Sequence, residues 1–183
     1  MAIKTFTTGE VLTAADTNTY LANSGLVWVG GATIGTGVTS VNLTSVFSST
    51  YDNYRVVVRL NAASAGVGIL LQLGTGSATT TNYKSYLWSA LDSWTTGAPV
   101  SVALTNGLFI TYGHPATDTG ALDLISPNLA VQTNSHGNYA TNTNGGITAG
   151  TQTDSTQFTS LHLVPVSGTM TGGLITVYGY RKA

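Results

Sequence analysis

The sequence predicts an all-β protein, an antiparallel β-sandwich of jelly-roll type preceded by a short N-terminal helical segment. Three observations carry this expectation. Threonine supplies about one residue in six, and its β-branched side chain is stiff and well suited to a pleated surface. Apolar residues recur with period two in short runs, not with the 3.6-residue period of a helix. With 22 glycines against 4 prolines, the turns are expected to be tight hairpins that use positive φ rather than proline.

At 183 residues the chain suits one domain with a small tail, divided here as 1–25 and 26–183. A hydrophobic fraction of 42% with a net charge of -1 excludes wholesale disorder. Only 7% of residues are charged, against about 25% in ordinary soluble domains, so Thr, Ser, Asn and Gly must carry solubility. Cysteine is absent, which suits assembly in a reducing cytoplasm. No apolar stretch near the start has signal-peptide length, and none approaches the roughly 20 residues of a membrane span. Neither export nor membrane insertion is expected. The six cations, Lys4, Arg55, Arg59, Lys84, Arg181 and Lys182, are scattered, so no nucleic-acid partner is expected.

Thr13-Ala14-Ala15-Asp16 has capping-box spacing, a hydroxyl three residues ahead of a carboxylate, and Asp16 suits the positive end of a helix. A helix of about two turns over 13–22 follows, too short to hold itself in water without packing on its own domain or on a partner. Strand candidates come next at 26–34 and 38–43. In 54–61, Tyr54, Val56, Val58 and Leu60 share one face and Arg55, Val57, Arg59 and Asn61 the other, the pattern of a half-buried strand. Residues 67–73 place Ile69, Leu71 and Leu73 together, and 83–91 contain Tyr83, Tyr86, Leu87, Trp88 and Leu91. Asn106-Gly107 signals a hairpin between 100–104 and 108–112. Candidates at 121–125, 158–164 and 174–180 complete about nine or ten strands, with no helical period between them, which favours a sandwich over a βαβ fold. The segment 133–156 is too poor in apolar residues for a central strand and is expected to be a long loop or an exposed hairpin.

Three segments carry a resemblance. Residues 6–21, FTTGEVLTAADTNTYL, resemble the F-x-x-G-E-V-L-T-A-A-D-x-N-x-Y-L opening of bacteriophage tail-fibre and other virion structural proteins. Residues 172–181, GGLITVYGYR, are similar to the last strand of related proteins, and 47–55, FSSTYDNYR, to a strand entry of the same β-sandwich group. The resemblance implies a virion protein of fibre, minor-tail or capsid-associated type, commonly trimeric, assembled in the host bacterial cytoplasm. Its opening peptide would be the attachment element, with Phe6, Val11, Leu12, Asp16, Tyr20 and Leu21 as the residues engaged with another virion protein.

Catalytic and metal chemistry find little to work with. His114, His136 and His162 fall in different predicted elements, and His162, between Leu161 and Leu163, reads as a satisfied structural histidine or an exposed polar residue. Asp118 and Asp123 are the only close acidic pair, the one place where glycosidase acid/base work or a Ca2+ site could be sought. Gly35-Thr36-Gly37 and Gly74-Thr75-Gly76 lack the flanking residues of a phosphate cradle and read as turns. No cofactor, metal or enzyme activity is expected. Tyr83, Tyr86, Trp94 and Tyr139, with Trp88, cluster in or near segments read as surface loops, where aromatic rings among Asn and Asp can stack on sugars. For Trp88, filling the sandwich core is the favoured reading.

The expected function is a tail-fibre or tail-tip protein that meets the host surface, its glycan or receptor. The alternatives are a capsid decoration or head-fibre protein, and a polysaccharide depolymerase.

Overall fold

The computed structural model describes residues 7–16, 25–91 and 104–182, without the side chains of residues 90 and 91. Among these residues, eleven strands follow a single helical turn at Ala14–Asp16: β1 (Leu26–Thr33), β2 (Val41–Leu43), β3 (Asn53–Ala63), β4 (Val67–Gly74), β5 (Tyr83–Leu91), β6 (Leu108–Gly113), β7 (Asp118–Ile125), β8 (Thr133–Ala140), β9 (Asn144–Gln152), β10 (Ser160–Pro165) and β11 (Met170–Tyr180). They form a seven-stranded sheet in the order β1-β11-β3-β7-β8-β9-β5 and a four-stranded sheet in the order β2-β10-β4-β6. Every ladder between these strands is antiparallel. The protein is an antiparallel β-sandwich.

Alternation builds the core. In β3, Tyr54, Val56, Val58 and Leu60 are fully buried while Val57 and Arg59 face outward. They join Leu122, Leu124, Ile175 and Val177 of the same sheet and Ile69, Leu71, Leu161 and Leu163 of the other in one apolar cluster. Each such side chain stabilises the fold by about 1.5–3 kcal/mol relative to exposure. The entry to β3 is fixed by Tyr54, whose hydroxyl accepts from the Ser48 amide at 2.8 Å and donates to the Ser48 carbonyl at 2.9 Å. The sheets approach closely at Gly120, where a side chain would strike the Ile110 carbonyl of β6.

Two strand expectations change. The segment 133–156 forms a hairpin, β8 and β9, but it lies inside the seven-stranded sheet, between β7 and β5, not on an exposed edge. Its inward positions are small or polar: Thr133, Ser135, Thr148, Gly150 and Gln152 are buried. The reason is what they face. The far part of the large sheet wraps β6, the edge strand of the small one, and packs Leu87 and Tyr139 on Phe109 and Leu70. Hydroxyls of the wrapping strands then satisfy the β6 backbone. The Phe109 amide donates to Ser85 Oγ at 2.9 Å and Thr148 Oγ1 donates to the Phe109 carbonyl at 3.1 Å, while in the other direction Thr111 Oγ1 of β6 donates to the Thr119 carbonyl of β7 at 3.1 Å. A buried edge that lacked such partners would cost the desolvation of each group. The same wrapping buries both faces of β4, so that Leu70 and Gln72 are covered as well as Ile69, Leu71 and Leu73.

The Asn106-Gly107 signal has a different outcome from the expected hairpin. β6 pairs with β4, and Leu104 bridges to Ser85 of β5; residues 100–103 of the proposed partner strand lie outside the described residues. Near the N-terminus the capping box forms as its spacing predicts. The Asp16 amide donates to Thr13 Oγ1 at 3.1 Å, and the Thr13 amide and hydroxyl donate to Asp16 Oδ2 at 3.3 and 2.6 Å. The described helix is one turn, Ala14–Asp16, and positions 17–22 of the expected helix lie outside the described residues.

Candidate functional site

The outer face of the seven-stranded sheet carries the exposed chemistry. Register defines its rows. One runs Trp28, Tyr178, Arg55, Asp123, His136, Ala149, Tyr86 from β1 to β5. The next runs Thr176, Val57, Ala121, Asn138, Ile147, Trp88. Period-two alternation sends all of these side chains outward together.

Asp123 organises the middle of the face. It accepts from Arg55 Nη1 at 2.9 and 3.2 Å and from the Tyr180 hydroxyl at 2.6 Å, and His136 Nε2 stands 3.8 Å away. Burial and then the bond to Asp123 push the Tyr180 phenol up, and Tyr180 in turn holds the Arg55 guanidinium further in its charged form. Beside this network is a shallow depression of about 260 Å³ lined by Asn53, Asp123, Ile125, His136 and Tyr180. A second, of about 220 Å³, lies where Ala121 leaves a gap between Val57 and Asn138.

The predicted aromatic contacts divide. Tyr86 is 54% exposed and stands on this face. Tyr83 and Tyr139 are 2% and 3% exposed and are corrected from surface contacts to core residues, because their odd-numbered positions on β5 and β8 point inward. The Tyr83 hydroxyl accepts from the Leu73 amide at 2.7 Å, and burial pushes its pKa well above the usual phenol value. Trp88, expected in the core, is 59% exposed, since it shares its face with Tyr86 two residues away. Trp94 lies outside the described residues. Trp28 and Ile147, also exposed on this face, were not singled out from sequence. Neither carried a clear signal, because Ile147 lies in the segment read as a loop or exposed hairpin and Trp28 in a continuous apolar run without alternation.

The acidic pair is not brought together. Asp118 and Asp123 are five residues apart on β7, an odd separation that sends them to opposite faces. Asp118 is fully buried against His114, accepting from its amide and lying 3.2 Å from its Nδ1. His162 is also buried and structural: Nδ1 meets Asn42 Oδ1 at 2.8 Å and Nε2 meets Ser160 Oγ at 3.2 Å. Among the described residues no group of three or more His, Cys, Asp or Glu is placed to hold a metal ion. Of the attachment residues, Val11 is 79% exposed, Leu12 is exposed and Asp16 closes the capping box. Phe6, Tyr20 and Leu21 lie outside the described residues.

This geometry defines a two-sheet antiparallel sandwich whose large sheet carries exposed aromatic residues toward both edges of its outer face. Comparison with known proteins finds no match to a family model, a curated protein or a solved structure.

Proposed function

We propose that this chain is a structural protein of a bacteriophage particle, a tail-fibre or tail-tip protein that attaches through its N-terminal segment and presents the sandwich to the host surface. The observation that carries the reading is the state of the opening peptide. Val11 and Leu12 are exposed, and among the described residues the buried core begins only at Ile34. Apolar side chains left in water beside a well-formed helix cap gain from burial against a second protein. The resemblance of residues 6–21 to virion openings supplies the kind of partner. A homotrimer assembled in the host cytoplasm fits the low surface charge, which offers little repulsion between copies.

A capsid decoration or head-fibre protein is the second reading, since the same opening peptide would serve on the shell. Depolymerase chemistry has the least support, because the two carboxylates proposed for it occupy opposite faces of β7. Immunogold labelling of purified particles tests the proposal: label at the tail is the expected result, and label on the head favours decoration. Particles free of label would overturn the virion reading altogether.

A further inference from the structure

The outer face of the large sheet is arranged by position. Apolar side chains stand at its margins, Leu26 and Trp28 on β1 and Tyr86, Trp88 and Ile147 on β5 and β9. Between them stand Arg55, Asp123, His136 and Asn138, with the half-exposed Val57 and Ala121 in the neighbouring row. From β5 to β7 is three strand spacings, about 14 Å, the reach of an oligosaccharide and more than that of a single sugar ring.

We propose that this half of the face, from Tyr86 and Trp88 to the depression at Asp123, His136 and Tyr180, binds a neutral oligosaccharide. The inference deepens the reading of a host-facing virion protein and rests on it for the choice of bacterial-surface glycans as ligands. A sugar ring offers an apolar C–H face and a rim of hydroxyls. The C–H face stacks on exposed aromatic rings, and Tyr86 and Trp88 present two on one side of an edge strand. Hydroxyls both donate and accept, matching the Asn138 amide, the His136 imidazole and the Asp123 carboxylate.

Charge decides between ligands. Arg55 already neutralises Asp123 at 2.9 Å, so the row from Tyr86 to Asp123 carries no uncompensated charge, and among the described residues the single cation beside it is Lys84, two residues from Tyr86 on the same face of β5. One exposed ammonium sets no demand for an acidic sugar, and Arg59 stands toward the other end of the sheet, level with Thr119. A second copy of the chain fits less well. Stable interfaces bury about 800 Å² per partner around an apolar centre. Here an ion pair and His136 stand at the centre with only Val57 and Ala121 as apolar neighbours, and the two aromatic margins are five strand spacings apart, about 24 Å. A flat partner would bury Arg55, Asp123 and His136 without new bonds.

Purified full-length protein is applied to a microarray of bacterial-surface glycans, neutral and acidic. The best neutral oligosaccharide is then titrated by tryptophan fluorescence. The expected result is saturable binding that weakens about tenfold or more for the constituent monosaccharide and for Trp88→Ala or Tyr86→Ala. Circular dichroism of both variants is expected to be unchanged, because both side chains are exposed, and Trp28→Ala at the far margin should retain full affinity. Binding to no neutral glycan, binding only to acidic ones, or affinity indifferent to Trp88→Ala would each overturn the proposal. So would Trp88-dependent self-association in place of glycan binding. The assay does not involve particles, so its failure is distinguishable from failure of the virion reading, which immunogold labelling decides.

Discussion

His162 shows how a single buried residue ties stability to pH. Its Nδ1–H donates to Asn42 and its Nε2 accepts from Ser160, whose oxygen in turn accepts from the Gly76 amide at 3.1 Å. Burial lowers the pKa of this ring below the usual histidine value. The unfolded chain therefore takes up the proton first. Stability from this group is present above the unfolded value near pH 6.5 and is lost as pH falls through the folded value. His162→Gln is expected to cost about 1–3 kcal/mol at neutral pH. Its unfolding free energy should also fall less steeply than that of the parent between roughly pH 7 and pH 5, measured by urea titration. Parallel slopes would show that the ring does not titrate with folding. From sequence this residue reads as a satisfied structural histidine or an exposed polar one, since alternation sends it to the face opposite Leu161 and Leu163; the structure buries that face. The burial of Tyr83 and Tyr139 was not read, because Tyr83 was taken to lie beside a surface loop at the start of its strand and Tyr139 in a segment not recognised as interior strand.

At the scale of elements, period-two alternation made the strands legible where one face is apolar, as in β3, β4 and β11. It missed β8 and β9 as interior strands because their inward residues face the backbone edge of β6 rather than another apolar sheet. Hydroxyls are the right chemistry there, and a count of apolar residues is blind to that. Ser85→Ala tests the point. It removes the acceptor of the Phe109 amide and leaves a buried donor unpaired, with an expected loss of about 1–3 kcal/mol. Hydrogen exchange should show faster exchange of the Phe109 amide. An unchanged unfolding midpoint and an unchanged Phe109 exchange rate would mean that the β6 edge is sealed by other means. On the opposite face, the aromatic margin at Tyr86 and Trp88 was half legible: the residue types drew notice, but their side of the sheet depends on a register that only pairing with β9 fixes.

For the whole molecule, the proposed function treats the sandwich and the opening peptide as separate units. The core draws its side chains from the strands and their connections, whereas the described part of the peptide, 7–16, contributes none of the buried core residues. A short capped turn with exposed Val11 and Leu12 does not hold itself in water, and in the proposed function attachment to the particle supplies its partner. Deletion of residues 2–24, with incorporation scored on purified particles, tests this most directly. The account predicts a truncated protein with the β-rich circular dichroism and unfolding midpoint of the full chain that is missing from the particles. A truncated protein that unfolds, or one that is incorporated as well as the full chain, would contradict it.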